Sequence, residues 1–214
     1  MPLLDLVIGK VKDESERLTE LDDYLPAIDA ALEKYSKHRP KEIVADLAGD
    51  GSHDLALPEE WVEEFSQIRR VEYPIGEVPE TLLDADEWTL YRAPAGLKLR
   101  LPEETPEVGE SVRATFTAGR LEADIPAGDL DAVACLAASF CLRTLAALFG
   151  HSSDSSIQAD SVNRGSKTDE FRRLADSLET RYHAHMGIDP KGGSAAASAV
   201  APAPKSGRTR LTHR

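Results

Sequence analysis

The period of apolar positions along the chain changes twice, from helical to strand-like and back. Leu21, Leu25, Ile28, Leu32 and Tyr35 recur at 4-3-4-3 spacing, one stripe on a helix. Thr19-Glu20-Leu21-Asp22 ahead of them reads as an acidic capping box. Pro26 falls in the first turns, where its missing N–H costs little, and Pro40 closes the segment. From Lys41 to about Thr117 the pattern shortens. Ile43–Leu47 and Asp54–Leu57 flank Gly49-Asp50-Gly51-Ser52, which predicts a hairpin because Asp-Gly supplies positive φ angles. Pro58 opens a predicted short helix with Trp61, Val62 and Phe65 on one face. Further strands are expected at Ile68–Tyr73, Trp88–Arg92, Leu97–Leu101 and Val112–Thr117, with Pro, Gly and Asp in the gaps. This is the pattern of a small barrel or sandwich.

The helical period then returns. Asp129 sits where a cap is needed for the long apolar stretch Leu130–Phe149. That stretch is long enough to cross a membrane, but it contains Asp131, Ser139, Arg143 and Thr144, so it reads as a buried core helix. The N-terminal apolar run, Leu3 to Ile8, is broken by Asp5 and lacks the flanks of a secretory signal. Ser166-Lys167-Thr168-Asp169 is a second box, opening a helix with Phe171, Leu174, Ala175, Leu178 and Tyr182 on one side. Gly187 is a natural C′ residue, and Pro190 follows. Residues 191–214 are Ala/Gly/Ser/Pro-rich and alone should be disordered.

Charge adds a second division. The 214 residues carry a formal −13. Lys191, Lys205, Arg208, Arg210 and Arg214 place +5 on the last 25 residues, which leaves −18 on the body. Such a body will not coat a nucleic-acid backbone. A basic arm can dock on something acidic, or be a frayed terminus.

Catalytic chemistry finds little support. Asp50-Gly51-Ser52-His53-Asp54 gathers Ser, His and Asp, but neighbours in a turn point different ways, and a polar turn is the simpler reading. The segment also lacks the acidic spacing of a calcium loop. His183 and His185 diverge by about 200° on a helix, so a solvated helix end suits them better than a shared metal. Cys135 and Cys141 would lie roughly 9 Å apart along their helix, too far for a disulfide, and are expected as buried thiols. No phosphate, dinucleotide or nucleophile-elbow motif is present. No catalytic residue, metal or cofactor is expected. Trp61, Phe65, Tyr73, Trp88 and Tyr91 are either β-domain core or, for one or two of them (Trp61, Trp88, Tyr91), anchors of a protein interface.

Several stretches together carry a resemblance. They are Ala30-Ala31-Leu32-Glu33-Lys34-Tyr35-Ser36 with Arg39-Pro40, then Trp61, Phe65-Ser66, Val71-Glu72-Tyr73-Pro74-Ile75-Gly76 and Trp88-Thr89-Leu90-Tyr91. The most telling are Ala132–Ser139, Ile157–Val162, Ser166–Phe171 and Arg181-Tyr182 to Gly187. Over about residues 3–188 the chain resembles the head–tail connector (adaptor, or head-completion) proteins of tailed bacteriophages. Relatives of this type often end near the equivalent of Gly187, so the tail departs from the pattern. The resemblance implies a non-enzymatic virion protein of the neck, made in the bacterial host cytoplasm. It implies a ring, typically a dodecamer, that binds the portal protein, neighbouring copies and downstream tail or neck proteins. Genome DNA would pass through its channel without sequence-specific contact, and no membrane is involved. C-terminal segments of such proteins grip the portal, which here points to Lys205, Arg208, Arg210, Leu211 and Arg214.

The expected fold is therefore α+β: mainly a helical bundle (residues 1–40 and 126–189) with an inserted small antiparallel β domain (41–125) and a disordered or extended basic C-terminal arm (190–214). A tail-completion or baseplate-associated binding protein is the nearest alternative. A small hydrolase using His53 and Asp54 is the remaining one.

Overall fold

The computed structural model describes residues 3–151, 158–189 and 193–194. It is an α+β protein in which helices and strands bury separate cores. Helices α1 (Leu3–Val11), α2 (Leu25–His38), α3 (Leu130–His151) and α4 (Gln158–Met186) form the first. Helix α3 packs on the other three. Its Ala132, Ala134, Ala137, Ala138 and Ser139 are buried, and small side chains allow backbones to approach closely. Leu136, Leu142 and Leu145 fill the remaining space. Burying each such leucine stabilises the fold by about 1.5–3 kcal/mol. The membrane-length apolar stretch is thus the centre of a bundle, as its charged positions predict. The N-terminal apolar run is α1, which inserts Leu3, Val7 and Val11 beside it.

The entry to α2 differs from the expected stripe. Glu20–Tyr24 form a wide π-type turn, and Tyr24 N–H reaches back to the Thr19 carbonyl at 3.2 Å. The extra residue rotates the stripe out of phase, so Leu21 is 76% exposed while Ala27, Ile28, Ala31 and Tyr35 are buried. The capping box forms with one residue exchanged. Thr19 Oγ1 accepts from Asp22 N–H at 3.1 Å, but the carboxylate that accepts from Thr19 N–H belongs to Asp23, at 2.8 Å.

Between α2 and α3 lie two three-stranded antiparallel sheets. One orders β1 (Lys41–Ala48), β6 (Ser111–Ala118) and β3 (Ile68–Glu72). The other orders β2 (Asp54–Ala56), β5 (Gly96–Arg100) and β4 (Thr89–Ala93). Leu47, Leu55, Val71, Leu99, Leu101, Val112 and Ala114 pack between them as a second core. The predicted β1–β2 hairpin does not form. β1 pairs with β6 along its whole length, Lys41 opposite Ala118 to Ala48 opposite Ser111. Residues 49–53 then cross to the other sheet, stitched to a distant loop by Gly49 N–H to Glu110 O and Gly51 N–H to Pro106 O, both at 2.9 Å. Gly51 does use the positive φ that Asp-Gly announces, at 81°. The predicted helix after Pro58 is a run of turns instead, because Glu64 adopts a left-handed φ of 69° that a helix cannot contain.

Helix α4 also begins earlier than its local signal. The box at Ser166–Asp169 lies inside the helix, which starts at Gln158 and runs alongside α3. A capping sequence favours a start but does not impose one when packing extends the helix. Gly187 ends α4 with φ 68°, as expected of a C′ glycine. Beyond it β7 (Ile188–Asp189) pairs with β8 (Gly193–Ser194), so the first residues of the expected arm are tied back as a short ladder. Ile157, Lys205, Arg208, Arg210, Leu211 and Arg214 lie outside the described residues.

Candidate assembly interface

A concentrated polar site centres on a buried carboxylate, and it joins helices that are far apart in sequence. Asp129 stands just before α3, and its carbonyl accepts from Val133 N–H at 3.0 Å, as a capping position requires. Its carboxylate does something else. Oδ2 accepts from Tyr35 OH at 2.5 Å, and both oxygens accept from Arg39 Nη1 at 2.9 Å. Oδ1 also lies 2.8 Å from His185 Nε2. Tyr35 and Arg39 come from α2 and its C-cap, and His185 comes from the last turn of α4. One carboxylate therefore fastens three helices.

Burial alone would push the Asp129 carboxyl up, but the hydrogen bonds from Tyr35, His185 and Arg39 outweigh it and hold the group at about 2. Burial first, and the bond to Asp129 second, push Tyr35 up to about 12. Next to them Tyr182 OH meets His38 Nδ1 at 2.7 Å, and burial holds the His38 imidazole below its ordinary value. The expected solvated end at His183 and His185 is thus half right. His185 is partly exposed, yet it is anchored to a buried carboxylate. Ion pairs extend the fastening outward: Lys10 and Arg181 meet Asp131 at 2.6 and 2.7 Å, while Lys34 and Arg143 both meet Glu179.

The Ser-His-Asp cluster has no catalytic geometry. His53 Nδ1 lies 3.0 Å from Leu101 O and 2.9 Å from Glu104 O, so it donates to carbonyls. Asp54 forms a two-pronged pair with Arg100 at 2.5 and 2.7 Å, which holds its carboxyl low. Ser52 Oγ bonds the backbone of Asp54. Each of the three is committed to a structural partner, and none activates another. Among the described residues no group of His, Cys, Asp or Glu is placed to hold a metal ion. Cys135 and Cys141 are free and buried, and burial pushes the Cys141 thiol up to about 12.

The three candidate interface aromatics do not come together. Trp61 packs on Phe116 with ring centroids 5.7 Å apart, and its buried indole N–H meets no acceptor among the described residues. Trp88 leans half-buried on the β core. Tyr91 is exposed on β4, an edge strand, with the Arg100 guanidinium 3.4 Å from its ring centre. Of the three, Tyr91 is the one open to a partner.

A groove that no motif announces runs between α2 and the loops at 62–65 and 119–121. Leu32, Val62, Phe65 and Leu121 contribute its apolar surface, and on its charged rim Asp29, Glu33, Glu63 and Glu64 outnumber Lys37 and Arg120. Its volume is about 580 Å³. Arg120 supports the floor by donating to the carbonyls of Arg39, Pro40 and Asp124.

No protein-family model matches the chain, and no curated protein matches it. Among solved structures it is similar to a chain in the neck of an empty gene transfer agent particle computed with C6 symmetry. The identity is 20%, the match covers 65% of this chain and 77% of that one, and the TM-score is 0.30. A chain in the virion of the native gene transfer agent particle is similar at 19% identity, with coverage of 65% and 77% and a TM-score of 0.30. A third, from the native neck computed with C12 symmetry, has 19% identity, coverage of 65% and 78% and a TM-score of 0.27.

Proposed function

We propose that this chain is a structural, non-enzymatic protein of a phage-type virion neck: a head–tail adaptor that forms a ring, binds the portal and leaves a channel for DNA. The observation that carries the reading is where the family-like stretches meet. Ala30–Ser36 lies on α2, Ala132–Ser139 on α3 and Arg181–Gly187 at the end of α4. They converge on one core through Ala31, Tyr35, Ala132 to Ser139 and Tyr182, fastened at Asp129. These three stretches of the resemblance thus build the bundle from which such a ring would be assembled.

Charge supports the same reading. A body of −18 around a channel would repel DNA and let it slide. The basic arm, with Lys205, Arg208, Arg210, Leu211 and Arg214, suits an acidic portal surface, and many ring copies would multiply a weak contact. On this reading Tyr91 on the β4 edge faces neighbouring copies or downstream neck proteins.

The test mixes the purified chain with the portal protein of the same particle and examines the product by mass photometry and cryo-electron microscopy. A closed ring seated directly on the portal is expected. A chain that stays monomeric beside the portal, and whose deletion leaves particles tailed, overturns the proposal. Density away from the portal would instead favour a tail-completion protein.

A further inference from the structure

We propose that the groove between α2 and the loops at 62–65 and 119–121 is the docking site of the chain's own basic C-terminal segment, residues 205–214, in the free subunit. The groove has the chemistry for it. Val62 and Leu121, at 51% and 72% exposure, are large apolar side chains left open to water at its walls, with Leu32 and Phe65 partly buried beneath them. Two of its four rim carboxylates are already engaged, Glu33 by Lys37 and Glu63 by Arg92. Asp29 and Glu64 have no ionic partner among the described residues.

The segment carries the complement. Leu211 is flanked by Arg208, Arg210 and Arg214, one apolar anchor among guanidinium groups that pair well with carboxylates. The +5 of the last 25 residues meets a body of −18. Position favours the chain's own segment over that of a second copy. α4 ends against α2, where Tyr182 meets His38, and β7 and β8 follow directly. Lys34 and His38 face α4 while Asp29, Leu32 and Ser36 face the groove, so the two sites are separated by one helix, about 10–12 Å across. Leu211 follows Ser194 by seventeen positions. Backbone geometry lets that many positions reach up to about 55 Å, more than the detour requires. Tethering at that range gives an effective local concentration near millimolar, which a free neighbour does not match.

Docking of this kind neutralises the arm until a more acidic surface competes for it. It stands whether or not that surface is a portal.

The experiment places the photo-crosslinker p-benzoylphenylalanine at position 211 of the full chain and irradiates an equal mixture of ordinary and nitrogen-15 chains. Crosslinks to the 62–65 and 119–121 walls or to α2 near Leu32, joining only chains of one isotope, are expected. The double variant Asp29→Asn, Glu64→Gln, on exposed sites that leave folding intact, should cut their yield at least by half, and so should high salt. Mixed-isotope crosslinks would show docking on a second copy and overturn the proposal. So would crosslinks concentrated elsewhere, no crosslinks at all, or yields that ignore both the variant and salt.

Discussion

Asp129→Asn keeps the shape of the side chain and removes its charge, so it isolates what the carboxylate contributes. In the folded protein the group sits at about 2 against an ordinary 3.8, a gap worth roughly 2–3 kcal/mol. Its side chain is only 7% exposed, so little of this is lost to solvent screening. Asparagine also turns an N–H₂ donor toward partners that are themselves donors: Arg39, Tyr35 OH and His185. A loss of about 2–4 kcal/mol at pH 7 follows. With a urea m-value near 2 kcal/mol/M, that moves the unfolding midpoint down by about 1–2 M. The pH signature is more specific than the loss. Because the folded value lies below the unfolded one, the stabilisation is complete above about pH 5 and drains away as pH falls through 3.8 toward 2. The variant should lack that component, so the two stability curves converge on acidification. Urea melts followed by circular dichroism between pH 7 and pH 3 measure both. A midpoint shift under about 0.2 M at pH 7, or a variant that keeps the full acid dependence, refutes the account.

Three other outcomes are expected. Leu136→Ala, at a fully buried position of α3, should cost about 2–5 kcal/mol in a urea melt. Gly49→Ala sets a Cβ 2.5 Å from Glu107 O and 2.6 Å from Pro106 O, all backbone, so it should destabilise the fold by about 1–3 kcal/mol. Hydrogen exchange should show the opening concentrated in the β sheets and not in α3. His53→Ala removes bonds to two carbonyls and should cost about 1 kcal/mol in a urea melt, and under the proposed function it should leave ring assembly with the portal unchanged. Loss of a hydrolytic activity in that variant would revive the enzyme reading.

Different forces account for what the sequence pattern predicts correctly and what it misses. The buried α3, the strands β3 to β6 and the Gly187 stop follow from periodicity and from glycine chemistry, which act over a few residues. The β1–β2 hairpin, the helix after Pro58 and the start of α4 at Ser166 were equally good local signals. Two lost to packing: β1 gains a full-length partner in β6, and α4 gains a long face of α3, while the helix after Pro58 gives way to turns around the left-handed Glu64. The Asp129 fastening had no local signal at all. Its partners lie 94, 90 and 56 residues away, so Asp129 by itself reads only as a helix cap.

The sequence by itself determined the alternation of helices and strands, the body of −18 with its +5 arm, and the lack of any motif for catalysis or metal binding. These are properties of composition and near neighbours, and they survive any arrangement of the elements. Only the tertiary structure decided that β1 and β2 belong to different sheets, that Asp129 holds three helices, and that His53 and Asp54 have structural partners. It also decided that an apolar groove with a mostly acidic rim opens beside α2. Each of these depends on contacts between residues far apart in the chain. Such contacts form when burial and paired charges outweigh local preference, and no short window of sequence contains both partners.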